Sequence, residues 1–391
     1  MISPTKPRSI FVLIFLQIRI LSLTSLNVFV LAPQVLISSE ISPFTSFRVL
    51  TIIFIVILFS CQPDKDNFFS PTPYVLEIPN HFPTLNNSED LTLEEVNLGR
   101  KLFYDPILSD ADKISCASCH IQSLAFSEPQ ALSIGINGDL TNRNSMNLFN
   151  LNWQNNFFWD GRVSSLEDQA LETVSSHIEM NGSWEIISYK LNSHSEYPNL
   201  FKSAFNIDDI DSNYVVKAIS QFEKTLISGN SKFDKFYRGE LLFSDIELRG
   251  WDLFNLDGPY DGADCFHCHQ APLFTDNIFH NNGLDSDENF NDMGLYLVTQ
   301  NSSDKAKFKT PSLRNIELTP PYMHDGRFQT LDEVIEHYNF GGHNSSTIDP
   351  LMKNVGEGLL LNQSDKDALK AFLLTLTDEN FINNLNHSDP N

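Results

Sequence analysis

The chain has 391 residues, 41% apolar and 12% aromatic, which fits a globular class with room for two proper cores. Its formal charge of −24 excludes nucleic acid as a partner, because phosphates would be repelled, and favours positively charged redox partners unless the acidity serves solubility alone.

In chain order, a first apolar stretch from Ile10 to Ile37 is interrupted by Gln17, Arg19 and Pro33. It reads as a transmembrane helix or, preferably, as residues ahead of the true start of the protein. Val49 to Ser60, after Arg48, is too short to span a bilayer and suits the apolar core of an export signal. Leu58-Phe59-Ser60-Cys61 then resembles a bacterial lipobox, with Cys61 as the lipid-bearing first residue of the mature chain. Cleavage there would remove Lys6, Arg8, Arg19, Arg48 and Glu40 and make the remainder still more acidic. Residues 1–60 are therefore targeting and 61–91, rich in Pro, Asn, Ser and Asp, a tether.

Thr92 with Glu95 forms a capping pattern that predicts a helix carrying Leu93, Val96, Leu102 and Phe103. Ser164 with Glu167 repeats it ahead of Leu166, Ala170 and Val174, and Thr330 with Glu333 ahead of Leu331, Val334, Ile335 and Tyr338. Gly341-Gly342 stops that last helix, and a final one runs from about Asp365 to Leu376. Stretches 255–264 and 281–294 read as loops, and no sustained strand alternation competes. The class is mostly α.

Between the first two helices stands Cys116-Ala117-Ser118-Cys119-His120, and Cys265-Phe266-His267-Cys268-His269 follows later. With Cys61 these boxes use every cysteine in the chain. Two thiols about one turn apart can each bond a haem vinyl group while the next residue offers its imidazole to iron, so each box reads as a covalent c-type haem site. A zinc ribbon is the weaker reading, since its pairs normally stand about 15–20 residues apart and need no following histidine. Haem attachment of this type takes place outside the bacterial cytoplasm, which agrees with an export signal.

From Leu98 onward the chain resembles the bacterial dihaem cytochrome c peroxidase and MauG family. The resemblance rests on Leu98-Gly-Arg-Lys-Leu-Phe103, Phe158-Trp-Asp-Gly-Arg162, the two boxes, Thr310-Pro-Ser-Leu-Arg-Asn315 and Pro321-Tyr-Met-His-Asp-Gly326. It implies two cytochrome-c-like helical domains, 92–240 and 241–391, each holding one covalent haem. Peroxide would react at the His120 haem, while the His269 haem relays single electrons from a small donor such as a cytochrome c or cupredoxin.

The resemblance places the family's interhaem tryptophan on Trp159, its pocket glutamine on Gln169 and its acid/base glutamate on Glu179. A buried aromatic anchor and an exposed helix face are the bland readings of these positions. Ten residues on one straight helix rotate a side chain by roughly 280°, so Gln169 and Glu179 converge only if the helix ends between them, near Ser175-Ser176. The histidine that blocks the first iron in peroxidases is replaced here by Ile136, and none occurs between His120 and His177. That implies an open first iron, with His177 as an alternative ligand. The second iron's sixth ligand falls on Tyr338, with Met323, His324, His337 and Met352 as alternatives. The family's calcium falls on Asn144, Thr319 and Pro321. Where MauG has a surface tryptophan just before its second box this chain has Ala263, with Trp251 as another route for oxidising a partner protein.

Overall fold

A computed structural model of the chain describes residues 69–85 and 90–391. The export segment and Cys61 lie outside the described residues. Helices supply nearly all regular structure. The first, α1, spans Leu93–Tyr104, and its cap Thr92 accepts from Glu95 N at 3.2 Å. Leu93 is exposed, whereas Val96, Leu98, Leu102 and Phe103 turn inward. Next come α2 (Leu166–Ser175), α3 (Trp184–Ser193), α4 (Tyr197–Phe205), α5 (Ser212–Glu223), α6 (Lys232–Tyr237) and α7 (Asp245–Asn255). After the second cysteine box follow α8 (Tyr296–Thr299), α9 (Leu331–Phe340), α10 (Gln363–Leu374) and α11 (Glu379–Ile382). The cap of α2 is Ser165, not Ser164: its side chain accepts from Asp168 N at 3.0 Å. Among the described residues the only named strands are β1 (Phe279–His280) and β2 (Phe308–Lys309), paired antiparallel. No helix among the described residues is long and apolar enough to cross a membrane.

Two helix pairs organise the core, and they are built alike. α1 crosses α5 at Gly99, where a Cβ would stand 1.8 Å from the Ala218 carbonyl oxygen. α7 crosses α10 at Gly250, where it would stand 1.9 Å from that of Ala368. Each glycine is followed by Leu and Phe in the same register, Leu102-Phe103 and Leu253-Phe254, and each facing alanine is followed one turn later by Phe222 or Phe372. A glycine at the crossing lets two backbones approach until these phenylalanines interlock, and burial of each such side chain contributes about 1.5–3 kcal/mol.

One hydrophobic cluster surrounds Leu98, Tyr197, Phe201 and Ile219, and a second surrounds Phe233, Phe254, Phe274 and Phe372. A third joins Phe103, Phe126, Phe149 and Phe222 to Phe381 of α11. The tail after α11 thus returns to α1, where Arg100 Nη1 donates to Asn386 O at 2.9 Å and Tyr104 Oη to His387 O at 2.7 Å. Inside the stretch read as a tether, residues 69–85 are laid on the fold: Phe82 is buried and stacks edge-on with Trp153.

The motif residues outside the boxes fasten these parts. Arg314 is fully buried and grips Asp234 in a two-pronged pair at 2.9 and 2.7 Å, while His81 meets the same carboxylate at 2.7 Å. Asn315 Nδ2 donates to Ser228 Oγ, and its Oδ1 accepts from Asp378 N. In Phe158–Arg162, Gly161 has φ +70° and leaves no room for a Cβ against the Phe279 ring. The Arg162 guanidinium lies 3.4 Å over Phe158.

Candidate functional site

Each cysteine box is a single 3₁₀ turn, Cys116–Ser118 and Cys265–His267. In both, the histidine backbone N donates to the first cysteine's carbonyl at 3.0 Å. His120 Nδ1 lies 2.9 Å from Phe126 O, and His269 Nδ1 lies 3.0 Å from Phe274 O. A carbonyl only accepts, so Nδ1 carries the proton and Nε2 keeps its lone pair for a metal. Phe126 and Phe274 both adopt the left-handed conformation, φ +58° and +55°, which turns their carbonyls back toward the ring. All four box cysteines are free thiols, and each box opens on a cavity, about 730 Å³ at His120 and about 250 Å³ at His269. Paired thiols, an oriented imidazole and open space beside them fit a covalently held haem at each box.

The His120 cavity is lined by Trp159, Gln169, Glu179 and Glu223 together. α2 ends at Ser175 with Ser176 as C-cap, and the chain then doubles back so that residues 169 and 179 face the same space. Glu179 is fixed by its backbone: its N donates to Ser176 O and its O accepts from Ile136 N at 2.8 Å. Gly135 packs so close to Ile178 that a Cβ would lie 2.1 Å from the carbonyl oxygen. Burial raises the Glu179 carboxyl above its ordinary range, against the lowering effect of a hydrogen bond with Ser176. Gln169 Nε2 donates to Thr173 Oγ1 at 3.1 Å. Among the described residues, His120 is the only histidine lining this cavity; His177 is exposed and outside it.

The His269 cavity receives one face of α9, with Leu331, Val334, Ile335 and Tyr338 all in its wall. The Tyr338 hydroxyl accepts from Asn282 Nδ2 at 3.1 Å, and burial pushes the phenol up to about 12. Met323 Sδ lies 3.7 Å from the same Asn282 nitrogen. His337 is turned out of this wall, its Nε2 bonded to Asn282 O at 3.1 Å. His324 and Met352 also line the cavity, but the His324 ring is stacked on Phe308 at 3.7 Å.

A strip of chain belongs to both cavities: Asn144–Asn147, Trp159 and Lys309–Ser312. Trp159 Nε1 donates to Asn144 O at 2.9 Å, and its own carbonyl accepts from Lys309 N at 2.9 Å. Arg143 braces this strip, bonded to Asp160 at 2.6 Å and to both oxygens of Asp292. Thr319 and Pro321 line the second cavity beside Asn144. Asn144 Nδ2 donates to the carbonyls of Gln130 and Ala131, which leaves Oδ1 as an acceptor suited to a hard cation.

Two buried groups in these walls were not singled out by sequence reasoning. Glu223 closes α5 in the His120 cavity, its Oε2 has no partner, and burial raises its carboxyl to about 8. Lys309 is buried in the shared strip. Both positions read as ordinary charged surface residues, and only tertiary packing marks them.

Comparison with known proteins follows the same lines. A family model described as di-haem cytochrome c peroxidase matches residues 93–242. The chain is 35% identical over 291 residues to the methylamine utilization protein MauG of Methylorubrum extorquens, covering 74% of this chain and 80% of the relative. It is 33% identical over 292 residues to the cytochrome c551 peroxidase of Nitrosomonas europaea, covering 72% of this chain and 79% of the relative. Among solved structures, a MauG-like protein associated with microbial copper homeostasis superposes with a TM-score of 0.75 at 33% identity, over 81% of this chain and 99% of the other. With these motifs, cavities and relatives, the chain belongs to the di-haem cytochrome c peroxidase and MauG family.

Proposed function

We propose that this protein reduces hydrogen peroxide to water at the His120 cavity, using two electrons and two protons, and that the electrons enter singly through the His269 cavity from a small redox protein such as a cytochrome c or cupredoxin. In this reading the chain's two halves, 92–240 and 241–391, each carry one haem bound through Cys116, Cys119 and His120 or through Cys265, Cys268 and His269. The haems supply iron that exchanges single electrons and, on the His120 side, binds the oxidant. The observation that carries the reading is the unequal pair of cavities: a raised carboxyl and an amide line the one at His120, while a half-buried tyrosine lines the one at His269.

Cleavage of peroxide requires a proton to move from one of its oxygens to the other, and Glu179 would accept and return it. Gln169 orients the peroxide or a water. Trp159, which lines both cavities, provides the contact for electrons between them. Tyr338 is the side chain that would hold the second iron opposite His269's box, and a phenolate there would favour the ferric state. A calcium ion held by Asn144 Oδ1 and the carbonyls of Thr319 and Pro321 would stiffen the shared strip. Export and lipidation at Cys61 would fix the protein to the bacterial envelope, facing the periplasm.

A second reading, oxidation of a partner protein by the same site, is favoured by Tyr338 and by the MauG relatives. Its alternative relay Trp251 packs among Phe233, Phe254 and Phe372, and Ala263 is buried. Optical and EPR spectra of the diferric protein, followed by peroxide, separate these from a plain electron carrier or sensor. One high-spin and one low-spin signal, with peroxide consumed at the expense of reduced cytochrome c, support the peroxidase. The same signals with peroxide spent only when a partner protein is present favour the second reading. Two low-spin signals indifferent to peroxide leave a carrier or sensor.

A further inference from the structure

Lys309 ends β2 in the strip that lines both cavities, and it is 3% exposed. Its Nζ donates to Gln154 Oε1 at 2.6 Å and to Asn156 O at 2.8 Å, and the Phe157 ring lies 5.6 Å away. Both partners are neutral oxygens, and they use two of the ammonium's three donors. Among the described residues no carboxylate stands within ion-pair distance of it, and burial alone pushes the group down to about 7. Its neighbours are treated differently. Arg143 has Asp160 and Asp292, and Arg314 has Asp234. A buried ammonium without an anion is costly enough that folded proteins either neutralise it or bring a counter-charge to it.

The counter-charge has an evident source once the cavities are filled. A haem carries two propionate carboxylates on the edge opposite the one bonded to cysteine, so each haem brings anions into a space whose wall includes Lys309. Resting on the two-haem reading above, we infer that Lys309 is the counter-cation of a haem propionate at the wall common to both cavities. It is a positioning residue. Its backbone N bonds Trp159 O at 2.9 Å, so one residue ties the cofactor's carboxylate to the main chain of the tryptophan between the cavities.

A cation near haem opposes the extra positive charge of ferric iron, so removing it favours the ferric state. The test is spectroelectrochemical titration of the full chain, after pyridine-haemochrome assay shows two haems per chain. Lys309→Met should raise the ferric-to-ferrous ratio at fixed potential by about tenfold or more for one haem, a fall of about 59 mV for a one-electron couple. Lys309→Arg should restore the original value. Resonance Raman spectra give a second readout, since the propionate bending band should move in Lys309→Met and in the milder Lys309→Gln. The Gln variant serves if the Met variant fails to fold. Two haems with unchanged potentials and an unmoved propionate band would overturn the assignment and leave Lys309 as a capped structural ammonium. Fewer than two haems in the unaltered protein would overturn the two-haem reading, and this inference with it.

Discussion

The two cysteine boxes present their histidines by the same device, yet the walls opposite them differ in kind. His120 and His269 each donate Nδ1–H to a carbonyl five or six residues on, held by a left-handed phenylalanine. Around His120 the lining groups are Glu179 and Glu223, which can hold or move protons, and Gln169, which can orient a ligand; around His269 they are Tyr338, Asn282 and Met323, which can cap a metal. A repeated anchor therefore says little about chemistry. The wall decides it: each is entered by a helix that follows a bridged Asp-Gly-Arg turn, Phe157–Val163 before α2 and Tyr322–Phe328 before α9, but the side chains carried differ.

The comparison breaks most sharply at Glu179. Glu179→Gln should lower peroxide turnover by about 10²–10⁴-fold with both haem spectra intact, and unchanged turnover would remove the carboxyl from proton transfer. Arg314→Met leaves the buried Asp234 carboxylate without its two-pronged partner, and denaturant unfolding should report a loss of about 3–5 kcal/mol. The paired crossings give the most direct contrast. Gly99→Ala and Gly250→Ala each force a methyl onto a backbone carbonyl and should cost about 1–3 kcal/mol, with haem incorporation impaired at the first box by one and at the second by the other. Equal loss at both boxes would show that the halves do not pack independently.

Acid provides a smaller test. Asp234 is held down to about 2 by Arg314, against an ordinary 3.8, despite the opposing effect of burial. Its contribution, about 2 kcal/mol, is therefore fully present above pH ~4 and lost as pH falls toward ~2. Unfolding midpoints measured across that window should fall in the unaltered protein and stay flatter in Arg314→Met. The least disruptive change, Tyr338→Phe, should alter the optical and EPR signature of one iron and leave the other untouched. A change at both irons would mean that Tyr338 is not confined to the second cavity.

Much of this was legible along the chain. The boxes, the Thr92 and Thr330 caps, the stop at Gly341 and the helix end at Ser175 all follow from local chemistry that acts within a few residues. The α2 cap was misplaced by one residue because Ser164 and Ser165 both fit, and only the second puts Asp168 N within reach of its hydroxyl. Helices α3 to α7 escaped because their apolar residues mix with Asn, Ser, Asp and Lys, which blurs the period. Gly99-x-x-Leu-Phe and Gly250-x-x-Leu-Phe stand in plain view, but their equivalence has meaning only once Ala218 and Ala368 lie against them. Lys309 and Glu223 left no sequence signal, since nothing local forecasts that a charged side chain will be enclosed.

The returning tail gives the molecule a direction in time. Phe381 seals the cluster around Phe103 and Phe126, and the segment after it pins α1, yet it is synthesised long after the first cysteine pair. While the chain emerges, Cys116 packs against a cluster that still lacks its closing phenylalanine. Closure of the earliest part waits on one of the latest.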